Sequence, residues 1–427
     1  MKRVLIGISL LAAAALTMAG CDGGSGGEPA NTDKGKAKAP PAKVEAPDPV
    51  QENLEGGPFP SLLVAQAWFY KDEAKRPKPG PARLEIWRET PDGWRPTRLE
   101  DGDSNVFHKA MAVDGGILTI GGDGANLKMW TVAADGGWAS ELLWSQTWDG
   151  RFHRLRDIEI GDVDGDGKDE YVIATHDAGV IVVFNPDTKE AIELDKKADT
   201  FVHEIEIGDI DGDGKAEFFA TPTGRNTASS SQGGEMVMYR WDGTTYVRSV
   251  VDPFGDTHAK EILATDLDGD GTSELFSVVE AETKGPQIVK PVEIRQYTVG
   301  EDGTFTHSTV ITLDDRQTRF LIPGDFNGDG KTDMVAATMK TGLWFLTQGE
   351  DGTWSKKNFD QSSSGFEHTS YASDLDGDGK LELYVAADDQ RELKKYTWDA
   401  EKSTFKKTLL GRLEEDTITW NITTGTF

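Results

Sequence analysis

The sequence predicts an all-β fold, a seven-bladed β-propeller of four-stranded blades, closed by a C-terminal strand joining the first blade. Three observations carry this. One acidic, glycine-rich phrase recurs five times, its first residues 47, 57, 59 and 49 positions apart, and a period near fifty marks a repeat architecture. Each copy is entered by alternating residues, as in His203-Glu-Ile-Glu-Ile-Gly208. Each is left by a short apolar run such as Tyr171-Val-Ile-Ala174, so each joins two strands. The repeat region also begins and ends on half a unit. Gly57–Ala67 matches only the loop exit and second strand, and Thr417–Thr424 reads as the missing first strand. A last strand that completes the first blade would shut the ring and remove a sheet edge.

Composition agrees. The 427 residues carry 74 acidic and 45 basic side chains, a net charge of −29, with 37% hydrophobic residues and 12 Trp. That is too polar for a multi-span membrane protein and too aromatic for a disordered chain. The acidity argues against nucleic acid as a partner. A single Cys excludes a disulfide framework.

Residues 1–21 read as an export signal: Lys2 and Arg3, an apolar Val4–Leu16, then small residues before Cys21. The run is too short to remain as a membrane span. Its end resembles the bacterial lipoprotein box, although Met18 replaces the usual Leu, and the resemblance implies lipidation of Cys21. Residues 22–56 are rich in Gly, Pro, Ala and Lys without apolar periodicity and read as a flexible tether. The propeller then spans 57–427, with the protein anchored in the cell envelope by its lipid only.

The repeated phrase is a metal loop by its chemistry. The copies are Asp162, Asp164, Asp166, Lys168 and Glu170; Asp209, Asp211, Asp213, Lys215 and Glu217; Asp266, Asp268, Asp270, Thr272 and Glu274; Asp325, Asn327, Asp329, Lys331 and Asp333; and Asp374, Asp376, Asp378, Lys380 and Glu382. Side-chain oxygens at positions 1, 3, 5 and 9 and the position 7 carbonyl suit calcium, about five ions in all. An EF-hand needs Glu at position 12, where these loops carry Ile173, Ala220, Ser277, Ala336 and Val385, so that motif is excluded.

The phrase resembles the FG-GAP repeat of integrin alpha subunits and the related bacterial VCBS-type repeats. The resemblance covers about residues 103–427. It implies four-stranded blades with calcium in the loop between the two inner strands. Of the seven blades, only the last five keep the loop. In the second, His108–Gly121 is the same strand–loop–strand unit with the loop collapsed at Asp114. Aromatic residues recur in the third strands, at Trp87, Trp130, Phe184, Tyr239, Tyr297 and Tyr396, and read as packing between blades rather than a sugar platform.

Six positions before each loop the chain reads His108, Arg156, His203, Lys260, Arg319 and His368, basic every time. In a propeller these are the starts of the innermost strands, around the channel mouth opposite the calcium loops. Converging cations call for an anionic ligand. The first reading is therefore a non-catalytic module holding a glycan or protein ligand at the mouth. No Ser/His/Asp or Cys/His nucleophile motif appears, which weighs against an enzyme. The alternative is a polysaccharide lyase on an acidic uronate glycan. Arg156 or Arg319 would neutralise the carboxylate, and His203, Lys260 or His368 would serve as base.

Overall fold

The computed structural model describes residues 59–426 except 135, 149–152, 225–231 and 301. The signal, Cys21 and the tether lie outside the described residues. The described chain forms seven four-stranded antiparallel blades. Their inner strands are Thr417–Thr426, Val106–Val113, Leu155–Gly161, Thr200–Gly208, Ala259–Thr265, Thr318–Gly324 and Ser370–Ser373, each touching the next around the ring. The C-terminal strand pairs with Pro60–Lys71 from Pro60↔Thr426 to Trp68↔Thr417, completing the first blade as the half-units required.

Seven apolar clusters hold the ring, one at each junction between neighbouring blades. The junction of blades seven and one joins Leu62, Val64 and Trp87 to Tyr384, Leu393 and Ile422. The six recurring third-strand aromatics are all buried in or beside these junctions, so packing is their role. Blade six has Leu346 at that register, paired with Met334. Long connections between second and third strands form small ribbons in two blades, Pro77–Pro79 against Phe69–Lys71 and Glu282–Lys284 against Gln287–Lys290. Strand direction puts both on the mouth side.

A register irregularity repeats at the start of the inner strands. Pairing skips His108, Arg156, the His203–Glu204 pair, Lys260 and Arg319. In the closing strand it skips Trp420. A β-bulge adds a residue to one strand and re-aims side chains.

Candidate functional site at the channel mouth

Bulging delivers Trp420, His108, Arg156, His203, Lys260 and Arg319, from six blades, to one end of the channel. The His108 and Trp420 rings meet edge-to-face at 5.0 Å, and the Arg156 guanidinium lies 5.4 Å from the Trp420 ring centre. His203 and His258 rings are 5.9 Å apart, and His203 Nε2 is 3.2 Å from Thr223 Oγ1.

The seventh blade departs from the pattern. His368 is fully buried and turned away: its Nδ1 donates to the Thr338 carbonyl at 2.6 Å, and its Nε2 accepts from Ser363 Oγ at 2.7 Å. With no bulge recorded there, the preceding residue takes the channel position. Glu367 bonds Arg319 and lies 3.9 Å from Arg156. The expected six-cation ring is thus corrected to five bulge-borne basic residues around carboxylates. Glu280 is the second carboxylate, 3.6 Å from Lys260, 3.8 Å from Arg319 Nε and 3.4 Å from His258 Nε2.

Sequence reading missed Trp420, Arg154, His176, His258, Glu280 and Glu367. A signal existed for some of them. His176 and Glu280 follow the second strands and oppose Arg154 and His258 across the hairpin, their N–H groups donating to those carbonyls at 2.9 Å each. Extending the repeat two residues past each strand end would have found them.

The electrostatics describe an acid–base set. Burial, and then Arg319, pull the Lys260 ammonium down to about 8. Burial and the neighbouring cations keep His108 and His203 neutral, their pKa values well below the usual imidazole range. His258 falls to about 4 and His176 to about 3, both chiefly through burial. Burial raises Asp388 to about 8, so it stands protonated near Glu367. For Glu280 the opposing effects are both large: burial alone would raise it, but Lys260, His258 and Arg319 hold it below the ordinary value. Glu280 Oε1, Glu367 Oε2, Arg319 Nε and Trp420 Nε1 are buried without a hydrogen-bond partner among the described residues. Such groups are costly, and they concentrate where function is to be sought.

One layer deeper the channel turns acidic. Lys109 Nζ donates to Asp157 at 3.0 Å and to Glu159. Asp157 also accepts from the Ile205 N–H at 2.8 Å, and Glu261 from the Leu321 N–H at 2.8 Å. Burial and mutual repulsion hold Glu204, Glu206 and Glu261 well above the carboxylate range. A separate cavity of about 820 Å³ opens beside the mouth between blades three and four, lined by Asp195, Thr200, Thr223, Gly234 and Arg248. It adjoins the cluster through Thr223, beside His203, and Gly234, which packs against His258.

At the opposite ends of the same strands lie the acidic loops. The position 1 carboxylate accepts loop N–H groups: Asp162 accepts from the Gly165 N–H at 2.7 Å and from the Gly167 N–H at 2.8 Å. Gly165 and Gly167 have φ of 76° and 88°, the left-handed region that permits this curl. Four carboxylate clusters could hold a divalent ion: Asp162/Asp164/Glu170, Asp209/Asp211/Asp213, Asp266/Asp268/Asp270 and Asp374/Asp376/Glu382. The remaining loop carries Asn327, whose amide donates to Asp329 at 3.0 Å. Glu170 Oε2 and Asp333 Oδ2 are buried without a side-chain partner among the described residues, which fits a cation at both loops.

Comparison with known proteins places the repeat. The model of the FG-GAP-like repeat matches residues 162–220, 266–336 and 325–385. No curated protein matches the chain. A protein of Bacteroides fragilis NCTC 9343, described as a "putative 6-phosphogluconolactonase", is similar over 88% of this chain and 99% of its own, at 13% identity and a TM-score of 0.52. A protein of Bacteroides uniformis ATCC 8492 with the same description is similar over 87% and 100%, at 12% identity and a TM-score of 0.54. At such identities the likeness is one of fold. Both descriptions are nonetheless of enzymes, which overturns the expected non-catalytic module and the weighting against an enzyme. The physical reason is at the mouth: a bare anion-binding ring would be uniformly cationic, whereas this one mixes neutral imidazoles, a depressed lysine and carboxylates.

Proposed function

We propose that the protein is an enzyme that hydrolyses a small anionic sugar lactone at the channel mouth by general acid–base chemistry. The observation that carries this is the convergence of Lys260, with its ammonium near 8, and Arg319, His258 and Glu280, with His203 adjoining. A base whose pKa lies near the working pH is the efficient one. Burial argues for a small substrate: Lys260 is 4% exposed and His203 2%, too recessed for the middle of a polymer. The lactonase description of the two structural neighbours is consistent with that chemistry.

In this reading Arg156 and Arg319 hold the substrate's anionic group. The neutral Lys260 amine, or the His203 imidazole, takes a proton from water as its oxygen attacks the lactone carbonyl. The ring C–O bond then breaks, and the alkoxide recovers the proton from the protonated base. The product is the open hydroxy acid.

A second reading, β-elimination at the end of a uronate chain, uses the same groups. It is favoured by charge: among the described residues the ion pairs of Arg156, Lys260 and Arg319 are with Glu280 and Glu367, three basic groups to two carboxylates. One experiment separates the two. The protein is mixed with sugar-acid lactones and with acidic oligosaccharides, and both acid release and unsaturated-uronate absorbance are followed. Acid release alone supports hydrolysis; a rise in absorbance supports elimination; neither, across both panels, refutes the enzyme reading.

Calcium in the acidic loops is part of the proposal, as a structural ion clamping the inner strands. So is an envelope location, with the propeller lipid-anchored through Cys21; this rests on the pattern of residues 1–21.

A further inference from the structure

The acidic loops read alike in sequence, but the structure does not treat them alike. In the first loop Glu170 is 2% exposed, its Oε1 accepts from Asn185 Nδ2 at 3.1 Å, and its Oε2 has no side-chain partner among the described residues. That oxygen belongs to a carboxyl whose cluster includes Asp162 and Asp164. Within this cluster no Lys or Arg contacts a carboxylate among the described residues. The cation of this loop, Lys168, reaches outward to Asp187 at 2.6 Å.

The second loop is built differently. Arg240, on the third strand of the same blade (Glu235–Trp241), donates from Nε to Glu217 Oε1 at 2.8 Å and from its NH2 group to Asp211 Oδ2 at 2.5 Å. The guanidinium therefore spans positions 3 and 9, two of the carboxylates a metal would use. Glu217 Oε2 is taken up by the Ile210 N–H at 3.4 Å. The convergent oxygens here are those of Asp209, Asp211 and Asp213; Glu217 lies outside the set, as Glu274 does in the third loop, whereas Glu170 and Glu382 belong to theirs. The fifth loop shows a weaker version, with separate contacts from Lys395 to Asp376 and from Lys380 to Asp378, each at 3.2 Å and neither spanning two carboxylates.

We propose that Arg240 is a tethered cation that takes the place of metal in the second loop, so that calcium fills the first loop but not the second. A planar guanidinium with forked donors can bridge two carboxylates as a divalent ion would. Being covalently attached, it is present at high local concentration whatever the calcium level. The loop with a buried carboxylate oxygen lacking a side-chain partner has no such substitute and gains most from an ion.

This rests on the calcium reading above, and the test separates the two. Calcium bound per chain is measured on the full-length protein by equilibrium dialysis and elemental analysis. The expected result is that Arg240→Met binds one ion more than the wild type. Asp209→Asn in the second loop should leave the wild-type count unchanged, and Asp162→Asn in the first should lower it by one. An unchanged or lower count in Arg240→Met, or one ion lost in Asp209→Asn, overturns the proposal. No calcium on the wild type overturns the calcium reading itself. Asp209→Asn guards against misfolding of the arginine variant, because its expected result is a count that stays the same.

Discussion

The two ends of each inner strand in the middle blades carry opposite chemistry a few residues apart. At one end an exposed acidic loop curls around its own N–H groups; at the other a bulge turns a basic side chain into the channel. The loop end is repeated with little change through five blades. The mouth end is not: its bulge residue is Trp, His, Arg, His, Lys and Arg in turn, and blade seven substitutes Glu367. Uniformity suits a structural clamp shared by the five blades that carry the loop. Variation around one ring suits a site, where each position has a separate task. The bulge reconciles the two, since it re-aims one residue per blade without disturbing the pairing beyond it.

The largest effect that would sharpen this contrast is removal of metal. Each filled loop contributes about 2.7 kcal/mol at a hundredfold excess over its dissociation constant, so emptying four loops lowers the melting temperature by about 14 °C on chelation. Calorimetry with and without a chelator checks this, and an unchanged melt would remove the clamp from the account. At the mouth, Lys260→Met should cut turnover by about 10²–10⁴-fold. The melting temperature should hold or rise, because the variant deletes a desolvated charge.

The channel's deeper layer comes next. Lys109→Met leaves Asp157 buried beside a cluster of carboxyls, and denaturant unfolding should show a loss of about 3 kcal/mol.

The pH dependence follows from Lys260. Its folded pKa, about 8, lies below the unfolded 10.5, so the unfolded chain binds more protons between them. Its contribution to stability therefore rises from pH 8 to 10.5, and turnover rises through pH 8 as the amine is freed. Lys260→Met should flatten both profiles. The smallest effect is expected of His368→Gln, which loses buried hydrogen bonds worth about 1 kcal/mol and leaves turnover within twofold of wild type. A large loss of activity there would return His368 to the site.

The propeller, its blade count and its closing strand were legible because they rest on periodicity and on two half-units that fit together. The acidic loops were legible because oxygen spacing is local. The mouth was legible only in part. Strict alternation along a strand places a basic residue and the acid that follows it on opposite faces. The bulges break that rule, so Asp157 and Glu261 line the same channel as Arg156 and Lys260. His368 shows the converse: it keeps the sequence register, but with φ of 54° just before its strand it points elsewhere. Glu280 lies one residue past its strand, where only a longer repeat unit would have found it, and Glu367 sits in a connection, where no repeat fixes the position.

The central claim is that chemistry belongs to the mouth end and not to the loop end. The most direct test is one assay on three proteins: wild type, Lys260→Met and Asp162→Asn, incubated with sugar-acid lactones below the melting temperature of each while acid release is recorded. The account predicts turnover by the wild type and by Asp162→Asn, and loss in Lys260→Met. Turnover that survives in Lys260→Met and disappears in folded Asp162→Asn would contradict it.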